Sequence, residues 1–211
     1  MSVSYFGSDA GRRLADLDLT AEDLQFALAA AVADVRTCTE FDAPGMPGYM
    51  FWSRCNRYLR ERLAPAGWTP ASRNHILRAV HPDGRFAITA TSGSGGVGVP
   101  DAFVSTKNPK GPATAKLVER NGQLSLFGAE ALEPRSDLDD IWTWYLLYKN
   151  DQSGLSAELS HPVKMNGGYV DTWDERIFFQ MPPMEGPGFD LSKLDDPGDD
   201  EGPDVMVEFT G

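Results

Sequence analysis

Cysteine and histidine are scarce in this chain, with two and three copies in 211 residues. Cys38 and Cys55 are too few for a disulfide framework or a four-thiolate metal site, so both read as reduced thiols of a cytoplasmic protein. His75, His81 and His161 lack the spacing of metal ligands, and no metal or cofactor is expected. Gly-Lys-Ser/Thr does not occur, which excludes a Walker A loop, and neither does the G-x-S-x-G elbow of an α/β-hydrolase. No run of eighteen apolar residues is present to span a membrane. The N-terminal residues Met1–Phe6 have no basic segment followed by an apolar one, so no signal peptide is expected. Solenoid-length repeats are also missing.

What is present is unevenly distributed charge. Residues 51–120 carry eleven Lys/Arg against four Asp/Glu, a balance of +7. Residues 1–50 stand at −5 and residues 121–211 at −14, which together make the net −12 of the chain. A protein with a sequence pI near 4.6 thus has a basic centre. Its counterpart is a phosphate ligand, a nucleic acid or the chain's own acid-rich C-terminal part.

The pattern along the chain predicts an α+β fold: a mainly antiparallel sheet of four to six strands packed by two or three helices, with an acidic C-terminal extension. Residues 1–184 are expected to form one domain and residues 185–211 a Pro/Gly/Asp-rich tail. A helix over 20–36 is signalled by Thr20 as N-cap, Asp23 reaching back to it, and the apolar stripe Leu24, Leu28, Ala31, Val32 and Val35. A second helix, 49–63, turns Arg54, Arg57 and Arg60 to one side as a basic outer face. The stretch 76–91 is a hairpin about His81-Pro82-Asp83-Gly84. A short helix follows over 112–121, with Pro near its start and Gly122 just past its end. Residues 141–148 are apolar on both alternating faces, as in a central strand. A strand over 155–163, a reversal at Asn166-Gly167-Gly168 and a last strand at 177–179 complete the pattern.

Gly93-Ser94-Gly95-Gly96-Val97-Gly98 satisfies G-x-G-x-x-G, but Pro100 follows at once. Neither the helix such a motif needs nor a crossover to a parallel strand is readable behind it, so a mobile loop or bulged strand end is the better reading. Thr106–Thr114 is a lysine-bearing loop that runs into a helix start, where N–H groups and the helix dipole favour an anion. Lys107, Lys110 and Lys116, with Arg54 and Arg57 of the preceding helix, are the anion- and phosphate-binding candidates. Arg73, Arg78 and Arg85 add to a set that would track a nucleic-acid backbone, although the acidity of the whole chain disfavours that reading.

No catalytic residue can be named. Glu158, Asp171 and Asp174 are the carboxylates available to Mg²⁺, and no spacing singles them out; Asp137, Asp139 and Asp140 read as a solvated lead-in. From Glu185 onward there are nine acidic residues and one lysine, a composition that cannot bury a core. Val205, Val207 and Phe209 close this tail as docking candidates for a protein partner.

The expectation that follows is a non-enzymatic binding or adaptor protein, of the accessory kind carried by bacterial or phage genomes. Its contact sites are the basic centre and the acidic tail, with a protein as partner and no membrane. The alternatives are a Mg²⁺-dependent enzyme acting on a nucleotide or nucleic acid, and an acidic DNA mimic that occupies a nucleic-acid-binding protein.

Overall fold

Thr20 shows how local chemistry starts an element. Its Oγ accepts the Asp23 N–H at 3.3 Å while the Asp23 carboxylate accepts the Thr20 N–H at 3.0 Å. This reciprocal capping box contributes about 1 kcal/mol to the helix behind it. The computed structural model describes residues 2–127, 141–151 and 154–182. In chain order its elements are β1 Val3–Tyr5, α1 Gly7–Asp16, α2 Ala21–Val35, α3 Met46–Leu63, β2 Thr69–Arg73, β3 Ile76–Val80, β4 Phe86–Gly95, β5 Val104–Thr106, α4 Pro112–Phe127, β6 Trp142–Asp151, β7 Gly154–Asn166 and β8 Tyr169–Phe178.

The strands form one sheet in the order β1-β8-β7-β6-β4-β3-β2, with β5 paired to the end of β4. Among the described residues, eight strands and four α-helices exceed the expected count while keeping the α+β class. The omissions are physical: β1 and β5 are three residues long, and β2 (Thr-Pro-Ala-Ser-Arg) is mostly exposed and shows no apolar alternation. The sheet is also mixed. β1 runs parallel to β8, and β4 runs parallel to β6. The second pairing overturns the expectation that no crossover follows the glycines. The crossover exists, but its helix is delayed until Pro112, beyond β5, so no helix start stands directly behind Gly98.

Alternation along β6 divides the molecule into layers. Trp144, Leu146 and Tyr148 pack with α1, α2 and α3 on one face, whereas Tyr145 and Leu147 pack with Leu117 and Val118 of α4 on the other. Every residue from Thr143 to Tyr148 is buried, as befits a central strand. Among the described residues no helix is long and apolar enough to cross a membrane.

α4 outruns its expected end by six residues, and Gly122 lies inside it. A Cβ at Gly122 would stand 2.6 Å from the Val163 carbonyl oxygen of β7. The glycine is therefore a point of close helix–strand approach and not a stop signal. Asn121 beside it explains that approach. Its Nδ2 donates to Thr143 O and Pro162 O, both at 2.9 Å, and its Oδ1 accepts the Thr143 N–H at 3.2 Å. Pro162 has no N–H for the ladder, and the Asn121 carboxamide bridges the gap that β6 and β7 leave there.

Candidate anion-binding cleft

β2 and β3 pair along their whole length, from Thr69↔Val80 to Arg73↔Ile76. β3 pairs with β4 only at Ala79↔Ile88 and Val80↔Ala87. The hairpin therefore splays away from β4 beyond Ala79, and a cleft opens between its tip and the start of α4. Asn74 and His75 make the two-residue turn of the hairpin, with φ at +51° and +61°. Two positive φ values mark a type I′ geometry, for which Asn suits the first position and Gly the second. His75 occupies the glycine position at a cost of about 1–2 kcal/mol.

The outer part of the cleft is a cavity of about 410 Å³, lined by Asn74, His75, Ile76 and Arg78 from the hairpin and by Gly111–Thr114, Lys116 and Leu117 from α4. Its narrow inner end, about 10 Å³, is lined by Trp52, Thr89, Thr91, Lys110 and Tyr145 among others, and shares His75, Ile76 and Thr114 with the outer part. Arg78 lies on the same side of β3 as Ile76 and Val80, so its stem crosses apolar surface. Arg78 and Lys110 are both largely buried, and Lys116 is exposed. No Asp or Glu lines either part among the described residues.

The lysine loop is held at three points. The Lys107 N–H donates to Ser92 O at 3.0 Å and the Lys110 N–H to Gly168 O at 2.7 Å, while Thr106 Oγ1 accepts the Val170 N–H at 3.2 Å. These bonds fix where α4 begins. Pro112 has no N–H, and the first helical bond shown is Ala115 N–H to Gly111 O, at 3.1 Å. Helix starts expose N–H groups to an anion, and no acidic residue occupies the first turn of α4.

Of the five anion candidates, Lys116 lines the outer part of the cleft with Arg78 and His75, and Lys110 lines its inner end with His75. Lys107 belongs to the same loop but lines neither part of the cleft. Arg54 and Arg57 sit on α3, across the sheet from α4. Arg54 contacts Asp34 at 3.0 Å and Arg57 contacts Glu61 at 2.7 Å. Arg60 turns inward, donating to Arg78 O and Ala71 O. Among the described residues no continuous basic track links the two sets. Val205, Val207, Phe209 and the acidic tail lie outside the described residues, as do Asp137, Asp139 and Asp140.

Among the described residues the carboxylates do not converge. Glu158, fully buried, accepts from the Gly98 N–H at 2.7 Å, the Ser160 hydroxyl at 2.7 Å, and the Arg176 guanidinium at 2.8 and 2.7 Å. Arg176 also donates to Ala102 O at 3.0 Å. This buried pair pins the glycine-rich segment to β7 and β8, so the G-x-G-x-x-G match is a docked strand end. Asp171 accepts from Thr172. Asp174 accepts the Ser125 hydroxyl at 2.6 Å and stands 3.9 Å from His161 Nδ1. Ser, Asp and His occur here in the wrong order for a nucleophile, which needs the imidazole as the acceptor of its proton. Among the described residues no group of three or more His, Cys, Asp or Glu is placed to hold a metal ion.

Sequence alone does not mark His75, Thr91 or Thr114 for the cleft, and it places Arg78 with residues that would track a nucleic-acid backbone. The available signal was Arg78 itself, a charge on the face of β3 shared with apolar Ile76 and Val80. No protein-family model matches the chain, and neither does any curated protein or solved structure compared with it.

Proposed function

We propose that this chain is a non-enzymatic binding protein that recognises an anionic, phosphate-bearing ligand in the cleft between the β2–β3 hairpin and α4. One observation carries the reading: in a chain of net charge −12, Arg78 and Lys116 line the outer part of the cleft at a helix start and Lys110 its inner end. The His75 turn supports it, because a residue disfavoured by the local backbone stands at the mouth of the cleft. A cytoplasmic setting stays part of the proposal, on the scarcity of cysteine alone. The tail from Glu185, ending in Val205, Val207 and Phe209, stays in the proposal as a second contact surface, for a protein partner.

Thermal unfolding of the full chain in inorganic phosphate tests the cleft, with chloride at equal ionic strength as control. A ligand at a hundred times its Kd stabilises by about 2.7 kcal/mol. Lys110→Met is expected to weaken phosphate by about tenfold or more, the scale of a charge-assisted hydrogen bond. No phosphate-specific shift, or an equal shift in Lys110→Met, overturns the proposal. Deleting residues 185–211 is expected to leave the phosphate affinity unchanged.

A further inference from the structure

We infer that the cleft takes a small hydroxylated phosphomonoester, such as a sugar or polyol phosphate. Its phosphate lies at the start of α4, and one of its hydroxyl groups enters the narrow end against Thr91. This inference rests on the phosphate reading above and deepens it.

The first support is the helix start. The start of α4 favours an anion, and Lys116 in its second turn lines the outer cavity. Arg78 of the hairpin lines the outer cavity with Lys116, and Lys110 of the preceding loop lines the narrow end beside Thr91 and Thr114.

The second support is independent and concerns Thr91. Thr91 is 5% exposed, lines the narrow end, and its Oγ1 has no hydrogen-bond partner among the described residues. Buried hydroxyls normally have one. A volume of about 10 Å³ is the scale of one water molecule, so it admits a hydroxyl group or a water and no ring. A ligand hydroxyl both donates and accepts, and so can complete the Thr91 side chain. The outer cavity of about 410 Å³ has the size of a small-molecule site, within the range of roughly 300–1,000 Å³ usual for such pockets. An extended nucleic-acid backbone is disfavoured, since Arg54 and Arg57 lie across the sheet, each beside a carboxylate.

Calorimetric titration of the full chain with inorganic phosphate and with ribose 5-phosphate tests this. Ribose 5-phosphate is expected to bind about tenfold more tightly, the ratio that corresponds to about 1.4 kcal/mol for one added hydrogen bond. Thr91→Val keeps the shape and removes the hydroxyl. It should bring ribose 5-phosphate down to the affinity of phosphate while leaving phosphate itself unchanged, and Thr91→Ser should retain the difference. Equal affinities in the native chain, or a Thr91→Val variant that weakens both probes alike, overturns the inference and leaves the phosphate reading standing. Binding of neither probe at millimolar concentration removes both.

Discussion

Asn56 of α3 acts as the missing strand partner of Ala90 in β4. Its Nδ2 donates to the Ala90 carbonyl at 3.0 Å and its Oδ1 accepts the Ala90 N–H at 2.9 Å. β3 has left β4 by this point, so the carboxamide supplies both hydrogen bonds that a strand would have made. The same bond pair lets the cleft open without exposing backbone at its floor. Asn56→Ala leaves a buried donor and a buried acceptor without partners, at about 1–3 kcal/mol each. The urea midpoint is expected to fall with the m-value unchanged. A loss below about 0.5 kcal/mol, the range of ordinary surface substitutions, would show that water or backbone movement replaces the side chain.

Gly122 and Gly11 offer opposite outcomes for one substitution. Both lie in helices, where alanine is favoured over glycine by about 1 kcal/mol. A Cβ at Gly11 meets nothing within 4 Å, whereas at Gly122 it meets Val163 O at 2.6 Å. Gly11→Ala is therefore expected to raise the melting temperature. Gly122→Ala should lower it, because α4 must move off β7 at a cost of about 1–3 kcal/mol.

Asp174 and Asp83 make stability depend on acid. The nearby His161 imidazole, then the hydrogen bond from Ser125, hold Asp174 below the ordinary carboxylate range against its burial. At Asp83 burial acts to raise the value, but the Arg85 N–H, the Arg85 guanidinium and His81 together outweigh it. A carboxyl depressed in the folded state binds fewer protons there than in the unfolded chain. Its contribution is thus fully present above about pH 4 and is lost as pH falls through the folded values. Asp174→Asn should lower the urea midpoint at pH 7 and flatten its decline below about pH 4. A variant whose curve runs parallel to the native one would refute the assignment.

His75 should trade stability against binding. His75→Gly relieves a positive φ of 61° and is expected to stabilise the chain by about 1 kcal/mol, offset in part by the flexibility glycine adds to the unfolded state. The same variant removes an imidazole from the mouth of the cleft, so phosphate should bind more weakly to a more stable protein. Unchanged affinity would exclude His75 from the site.

Features legible in the sequence were those made by neighbours along the chain. The Thr20–Asp23 box, the turn after His81 and the double-faced apolar run of β6 all depend on contacts within a few residues or on a simple period. Asn56, Asn121 and the Glu158–Arg176 pair were not legible, because each meets a partner brought in from another element. A polar residue on a helix looks solvated until the strand it completes is known. The cleft falls between these cases: Lys110 and Lys116 mark it locally, but the departure of β3 from β4 brings Arg78 and His75 to it.

The pairing of β1 with β8 sets an order of events. Val3 to Tyr5 lie against Glu175 to Ile177, so the first strand made has no partner until nearly all of the described chain has been synthesised. Joining segments so distant carries the loop-closure cost that slows folding of non-local topologies. α2 and α3, close in sequence and packed together, can form early, and the two outermost strands of that edge close last. A newly made chain therefore exposes the β8 edge until β1 docks against it.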